Sequence, residues 1–236
     1  MANPAETLST LVFTGYGLVL VTGGAFSYYA LQNYAFDRME GYEDFWSYLT
    51  YVGMAFATFG AFGLWQVAGG GNVVQAFLDT TLLFAIVFLT FSMREVYYNS
   101  ALAPDPSERR VSLAWLRTVE FGFVVVIAVE WVVAAALGQT ATTAVLRGLA
   151  ALGFTAYGVA FSERLESLAH GTALDSLRRH LLVVLVCATG IAIADLVALV
   201  GPSSIASSTF YVFLVLLGGL LVPPTIRLQQ SVAGLS

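Results

Sequence analysis

The chain has no lysine at all; its ten basic residues are all arginine, against fifteen acidic residues, for a net charge of −5. With that balance of charge, nucleic acid is not an expected partner. There is one cysteine, Cys187, so no disulfide can form within the chain, and its place in an apolar run reads as a small buried hydrophobe. No N-x-S/T sequon is present. Charged residues make up only 11% of the chain, well under the roughly 25% of an average soluble domain. No phosphate-binding glycine loop, HExxH helix or nucleophile elbow occurs, and no His, Cys or carboxylate spacing has the form of a metal site.

What is present is apolar. Hydrophobic residues make up 58% of 236, and the mean hydropathy is +0.80. A soluble domain of this length could not bury that much apolar side chain, so the bilayer is the expected solvent. The acid excess, missing lysine and richness in Ala and Val have the composition of a GC-rich, salt-loving archaeal source. The first ten residues lack a basic region, and the apolar run after them is too long for a signal-peptide core, so the first helix is expected to be retained.

Roughly 20 apolar residues cross a bilayer as a helix, and seven windows qualify: 8–36, 45–70, 73–98, 112–137, 141–161, 181–200 and 209–222. The expected fold class is therefore all-α, one polytopic bundle of seven transmembrane helices in a single domain, in the plasma membrane. Gly15, Gly17, Gly23 and Gly24 offer close helix approach in the first span. Pro223–Pro224 is expected to break or kink the seventh. The segment between the fifth and sixth spans reads as amphipathic extensions of both helices.

Arginine sets the orientation. Arg38, Arg94, Arg109, Arg110, Arg117, Arg164, Arg178, Arg179 and Arg227 cluster at the first, third and fifth loops and the tail, while loops 69–72, 138–143 and 201–208 are uncharged. The positive-inside rule then puts the N-terminus outside and the C-terminus in the cytoplasm.

Counting about 1.5 Å per residue from the uncharged turns, Asp79 and Asp195 lie roughly 10 Å deep, and Glu130 and Arg147 on the order of 10–13 Å. Gln66 and Gln75 sit just above them. Four ionisable groups on four helices thus share one layer, and intramembrane charges are functional candidates by default. Two readings apply. Glu130 and Arg147, mirrored about the turn at 138–143, pair and order the hairpin, with the aspartates hydrogen-bonded across helices. Alternatively, the six residues line an outward-facing acidic cavity for a cation, a proton or a polar ligand, with Asp79 and Asp195 as the proton-binding candidates. At the other end, Arg94–Glu95 and Arg117–Glu120 are placed for pair exchange between the third and fourth helices. Arg94, Arg117, Glu120, Arg164, Arg178 and Arg179 form a candidate face for anionic headgroups or a cytoplasmic partner. His170 and His180 read as ordinary interface residues.

Thr80–Thr81–Leu82–Leu83 resembles a stretch of the third helix of archaeal (microbial) rhodopsins, and the run from Arg179 to Leu185 resembles the start of that family's sixth helix. Helix number, outside N-terminus and short outer loops fit the same layout. The resemblance implies an opsin-like scaffold, but one without its pigment: the family holds retinal through a lysine on the seventh helix, and no lysine exists here. Ala76 stands where the family's counterion carboxylate falls, and the sixth helix has no Trp. Covalent retinal is excluded, and no cofactor is expected.

The leading expectation is a non-enzymatic membrane sensor or signalling scaffold working through membrane lipids, a separate signalling or membrane subunit, or a second copy of itself. The alternatives are a small transporter or proton/cation pathway and an intramembrane enzyme acting on lipid or isoprenoid. Transport would need polar groups through the midplane, where only Thr58, Thr90, Thr155, Tyr157 and Thr189 are on offer.

Overall fold

A computed structural model describes residues 4–36, 43–99, 113–169 and 173–235. The charges at Asp37, Arg38, Glu40, Arg109 and Arg110, the prolines Pro104 and Pro106, and His170 lie outside the described residues. The described chain is helical throughout: α1 (Pro4–Phe36), α2 (Glu43–Val67), α3 (Asn72–Asn99), α4 (Leu113–Leu137), α5 (Ala141–Ala169), α6 (Ala173–Ala192), α7 (Ala194–Val200), α8 (Ser203–Leu220) and α9 (Val222–Leu235). Five helical stretches are long and apolar enough to cross a membrane, or six if α6 and α7, bent by 42° at Ile193, form one span. This is the architecture of a helical multi-pass membrane protein. α2 is long enough, but its Tyr, Trp, Thr and Gly residues dilute its apolar character.

The seven expected windows fall on these helices, but the second, on α2, is not among the five or six candidate spans of the described residues, and two others need correction. The sixth, placed at 181–200, is a broken pair rather than one rod. The seventh, placed at 209–222, starts at Ser203, and the prolines do not end it: α8 and α9 together make a 32-residue candidate span, Ser203–Gly234. Pro223 and Pro224 occupy the first turn of α9, where a missing N–H costs least. The ladder resumes across them, with Leu221 N–H donating to Leu217 O at 3.1 Å and Thr225 N–H to Leu221 O at 3.2 Å. α5 and α6 do extend toward each other, as their amphipathic ends suggest.

α1 and α2 pack backbone to backbone. A Cβ on Gly53 would stand 2.4 Å from Ser27 N, and one on Gly60 2.6 Å from Leu20 N; only glycine lets two helices approach so closely. Of the four glycines expected to do this on α1, Gly15 and Gly23 face neighbours and Gly17 and Gly24 face open space. α3 is the most enclosed span, with 61% of its apolar window buried against α2, α4, α5 and α6. α4 is the least, at 17%, and among the described residues its only extensive packing is against α3. The remaining helices close the ring: α6 and α7 on α5 and α8, and α8 with α9 back onto α1. Asn33 ties that seam, donating from Nδ2 to Leu228 O at 3.0 Å.

Candidate functional site

The turn between α4 and α5 positions the first polar cluster. Gly138 has φ +79°, a left-handed conformation that favours glycine, and its N–H closes onto Ala134 O at 2.9 Å. Thr140 then caps α5. Its Oγ1 accepts from Thr143 N–H at 3.2 Å, and Thr143 Oγ1 accepts from Thr140 N–H at 2.9 Å, a reciprocal box with Thr in the usual Glu or Gln position. Between the two lies Gln139, aimed back into the bundle.

Arg147, one and a half turns into α5 and 3% exposed, is the hub. Its Nη1 lies 2.9 Å from Asp79 Oδ2 on α3 and 2.9 Å from Asp195 Oδ2 on α7, and its Nη2 donates to Gln139 Oε1 at 2.6 Å. Gln139 Nε2 in turn donates to Asp79 Oδ2. Gln75 Nε2 holds the other oxygen, Asp79 Oδ1, at 3.0 Å. One guanidinium thus joins α3, α5, α7 and the α4–α5 turn. Asp195 is open at 54% of its side chain, so the latch can be reached from its end of the bundle.

Two of the sequence expectations need correction here. Glu130 and Arg147 do not form an ion pair: α4 stands away from α5, so equal depth does not give contact, and Arg147 turns to the aspartates. One oxygen of Glu130 is buried without a hydrogen-bond partner. Gln66 is also outside the cluster; its Oε1 sits over Gly70 in the α2–α3 turn and is unpartnered. Gln139 is the member that sequence reasoning missed. The only signal for it was its place between a turn glycine and a helix cap.

The second cluster is at the opposite end. Arg94, fully buried, is ion-paired with Glu95 beside it and with Glu120 on α4, and lies 5.4 Å from the Phe91 ring centre. Arg117 reaches Glu95 at 3.6 Å and Asp44 on α2 at 3.0 Å. The pair exchange between α3 and α4 is therefore present, but Arg94 and Glu120 are sealed inside and cannot belong to a docking face. Arg178 is also withdrawn, since it is buried and holds Asp175 Oδ1 at 2.7 Å and Ser162 O at 2.8 Å. Of the expected face, Arg117, Arg164 and Arg179 remain exposed. Arg179 pairs with Asp175 Oδ2 at 2.7 Å.

Between the two clusters three of the hydroxyls bond helix backbone, and Thr155 on α5 meets Thr189 on α6 hydroxyl to hydroxyl. Thr90 donates to Ile86 O at 2.9 Å and bridges to Phe154 O at 3.1 Å, Thr189 bonds Leu185 O at 2.8 Å, and Thr58 bonds Met54 O at 2.7 Å. Cys187 is buried with its Sγ on Phe213 O at 3.2 Å, a packing role. No protein-family model, curated protein or solved structure matches this chain. The likeness to microbial rhodopsins therefore rests on the two short runs quoted above.

Proposed function

We propose that this protein is a non-enzymatic seven-helix membrane sensor, N-terminus outside and C-terminus cytoplasmic, that reads protons or monovalent cations through the Arg147 latch. The seven spans are α1 to α5, the bent α6–α7 pair and α8–α9, an opsin-like order without a chromophore lysine. The observation that carries the reading is one buried guanidinium shared by two aspartates on different helices, one of them more than half exposed. A proton on Asp195, or a cation between Asp79 and Asp195, competes directly with Arg147 for the same oxygens. Losing that contact frees α7, which hangs from the bend at Ile193. α3 carries both Asp79 and Arg94, about 22 Å apart along the helix axis, so a shift at one network reaches the other along a buried rod. Exposed Arg117, Arg164 and Arg179 then offer the surface read by a separate signalling subunit.

A transport pathway fits less well, because the middle of α3 is lined by buried Leu82, Ala85, Ile86 and Leu89 and its one buried threonine there is committed to carbonyls. The test uses Trp131, whose ring centre lies 4.8 Å from that of Phe77, two residues before Asp79. In proteoliposomes, outside acidification or added sodium is expected to change tryptophan fluorescence. The change should be absent in Trp131→Phe and in Asp79→Asn. Ion flux with no fluorescence response would replace the sensor with a transporter, and neither signal would remove the cation-reading role.

A further inference from the structure

Between the two clusters, and reaching one residue of each, lies a cavity of about 620 Å³ between α4 and α5. The two helices are joined by only residues 138–140 yet make no extensive contact with each other. Instead they diverge around Leu83 of α3, and Phe123 and Phe154 meet edge-on at 5.2 Å. The walls are almost wholly apolar, and Val126 and Leu149 on the rim are more than half exposed, so the cavity opens sideways.

Its polar groups sit at its two ends. Glu130 and Arg147 stand at one, Glu120 and Tyr157 at the other, and along each helix the ends are ten residues, or about 15 Å, apart. The first end is unfinished. Glu130 is 8% exposed, carries no ion pair, and leaves Oε1 without a hydrogen-bond partner; the Nε of Arg147, at 3% exposure, is likewise unpartnered. Buried polar atoms in native proteins nearly always have partners, and a carboxylate oxygen and a guanidinium N–H ask for a group that both donates and accepts. At the other end Glu120 is already balanced by Arg94.

We propose that this groove binds an elongated apolar molecule bearing a hydroxyl head, a long-chain or isoprenoid alcohol taken from the bilayer, with the hydroxyl between Glu130 and Arg147. A hydroxyl donates to Glu130 Oε1 and accepts from Arg147 Nε without adding charge to the membrane interior. A carboxylate head is repelled by Glu130 and has no proton to donate to it, and an ammonium head donates to Glu130 but cannot accept from Arg147 Nε. A plain hydrocarbon leaves both atoms unsatisfied. The chain lies along Val126, Leu149 and Gly153 in the length that separates the two polar ends.

Gly153 supplies the decisive variant. A Cβ there meets nothing within 4 Å, so a side chain can start into the open groove and Gly153→Leu is the variant that fills it. In nanodiscs, a diazirine-bearing tetradecanol is expected to label α4 and α5 peptides saturably. Tetradecanol and geranylgeraniol should compete, the stronger of the two naming the chain type, while tetradecane and tetradecanoic acid compete about tenfold more weakly. Gly153→Leu should abolish labelling while keeping the wild-type elution profile and helical circular dichroism. In Glu130→Leu the alcohol should compete no better than the alkane. Labelling that never saturates, or that survives Gly153→Leu, would reduce the groove to ordinary lipid contact. Equal competition by alkane or acid would overturn the hydroxyl assignment. A dimer that Gly153→Leu dissolves, with no saturable label, would give the groove to a second copy instead.

Discussion

Arg147 is the residue on which the short-turn end of the bundle depends, and Glu130, its apparent mirror in the sequence, is not. Removing one member of a buried charge cluster leaves the others uncompensated, typically at a cost of about 3–5 kcal/mol. Arg147→Met should therefore destabilise the protein by about that much, because Asp79 and Asp195 would face each other with their shared cation gone. Adding Asp79→Leu should recover more than half of the loss, since apolar replacement of a whole buried pair is often neutral. Glu130→Gln breaks no ion pair and should change stability by about 1 kcal/mol or less. Unfolding titrations in mixed micelles would measure all three. A Glu130→Gln loss as large as that of Arg147→Met would restore the hairpin pair. Position counting put Asp79, Asp195 and Arg147 at one level because the rise is about 1.5 Å per residue, and those three meet. It could not say which way Glu130 points, because azimuth depends on where α4 packs.

At the scale of the helix, the α1–α2 interface is the most demanding in the molecule. Gly53→Ala puts a methyl 2.4 Å from the Ser27 backbone, which no side-chain rotation relieves. Overpacking of this kind costs about 1–3 kcal/mol or more. Gly24→Ala, which meets nothing within 4 Å, should be neutral or stabilising by up to about 1 kcal/mol, the helix-propensity difference. Thermal unfolding of the two variants side by side checks the contrast, and equal effects would mean that the helices do not touch at Gly53. The long apolar helices themselves were legible because apolar text of the required length leaves a chain few choices. Helix faces were not, since an apolar helix in lipid shows no polar side to mark its exposed face. Gly17 and Gly24 looked no different from Gly15 and Gly23, and the essential glycines of α2 gave no separate signal. The proline pair misled for a related reason: at a helix interior it breaks the ladder, but in a first turn it is tolerated.

Across the whole molecule, α3 joins two of the charged networks of the described residues, one at each of its ends, and which end faces outward decides what either can sense. Arginine distribution was the legible part, because the positive-inside bias acts on composition near the span ends and needs no knowledge of packing. The burial of Arg94 was not legible, since its place near the end of a span put it on the candidate face, while Glu95 and, from α4, Glu120 enclose it. Orientation is open to a direct measurement. The native Cys187 is buried and engaged with Phe213 O, so it should stay silent toward an impermeant maleimide. Ser204 at the start of α8 and Gln230 in α9 are both exposed and lie near opposite ends of the α8–α9 span. With the latch end outside, Ser204→Cys should label on intact cells and Gln230→Cys only after lysis. The opposite pattern would invert the molecule and leave the aspartate latch facing the cytoplasm, where it would read internal rather than external cations. Labelling of both on intact cells would mean that α8–α9 does not cross, because no other helix separates the two positions.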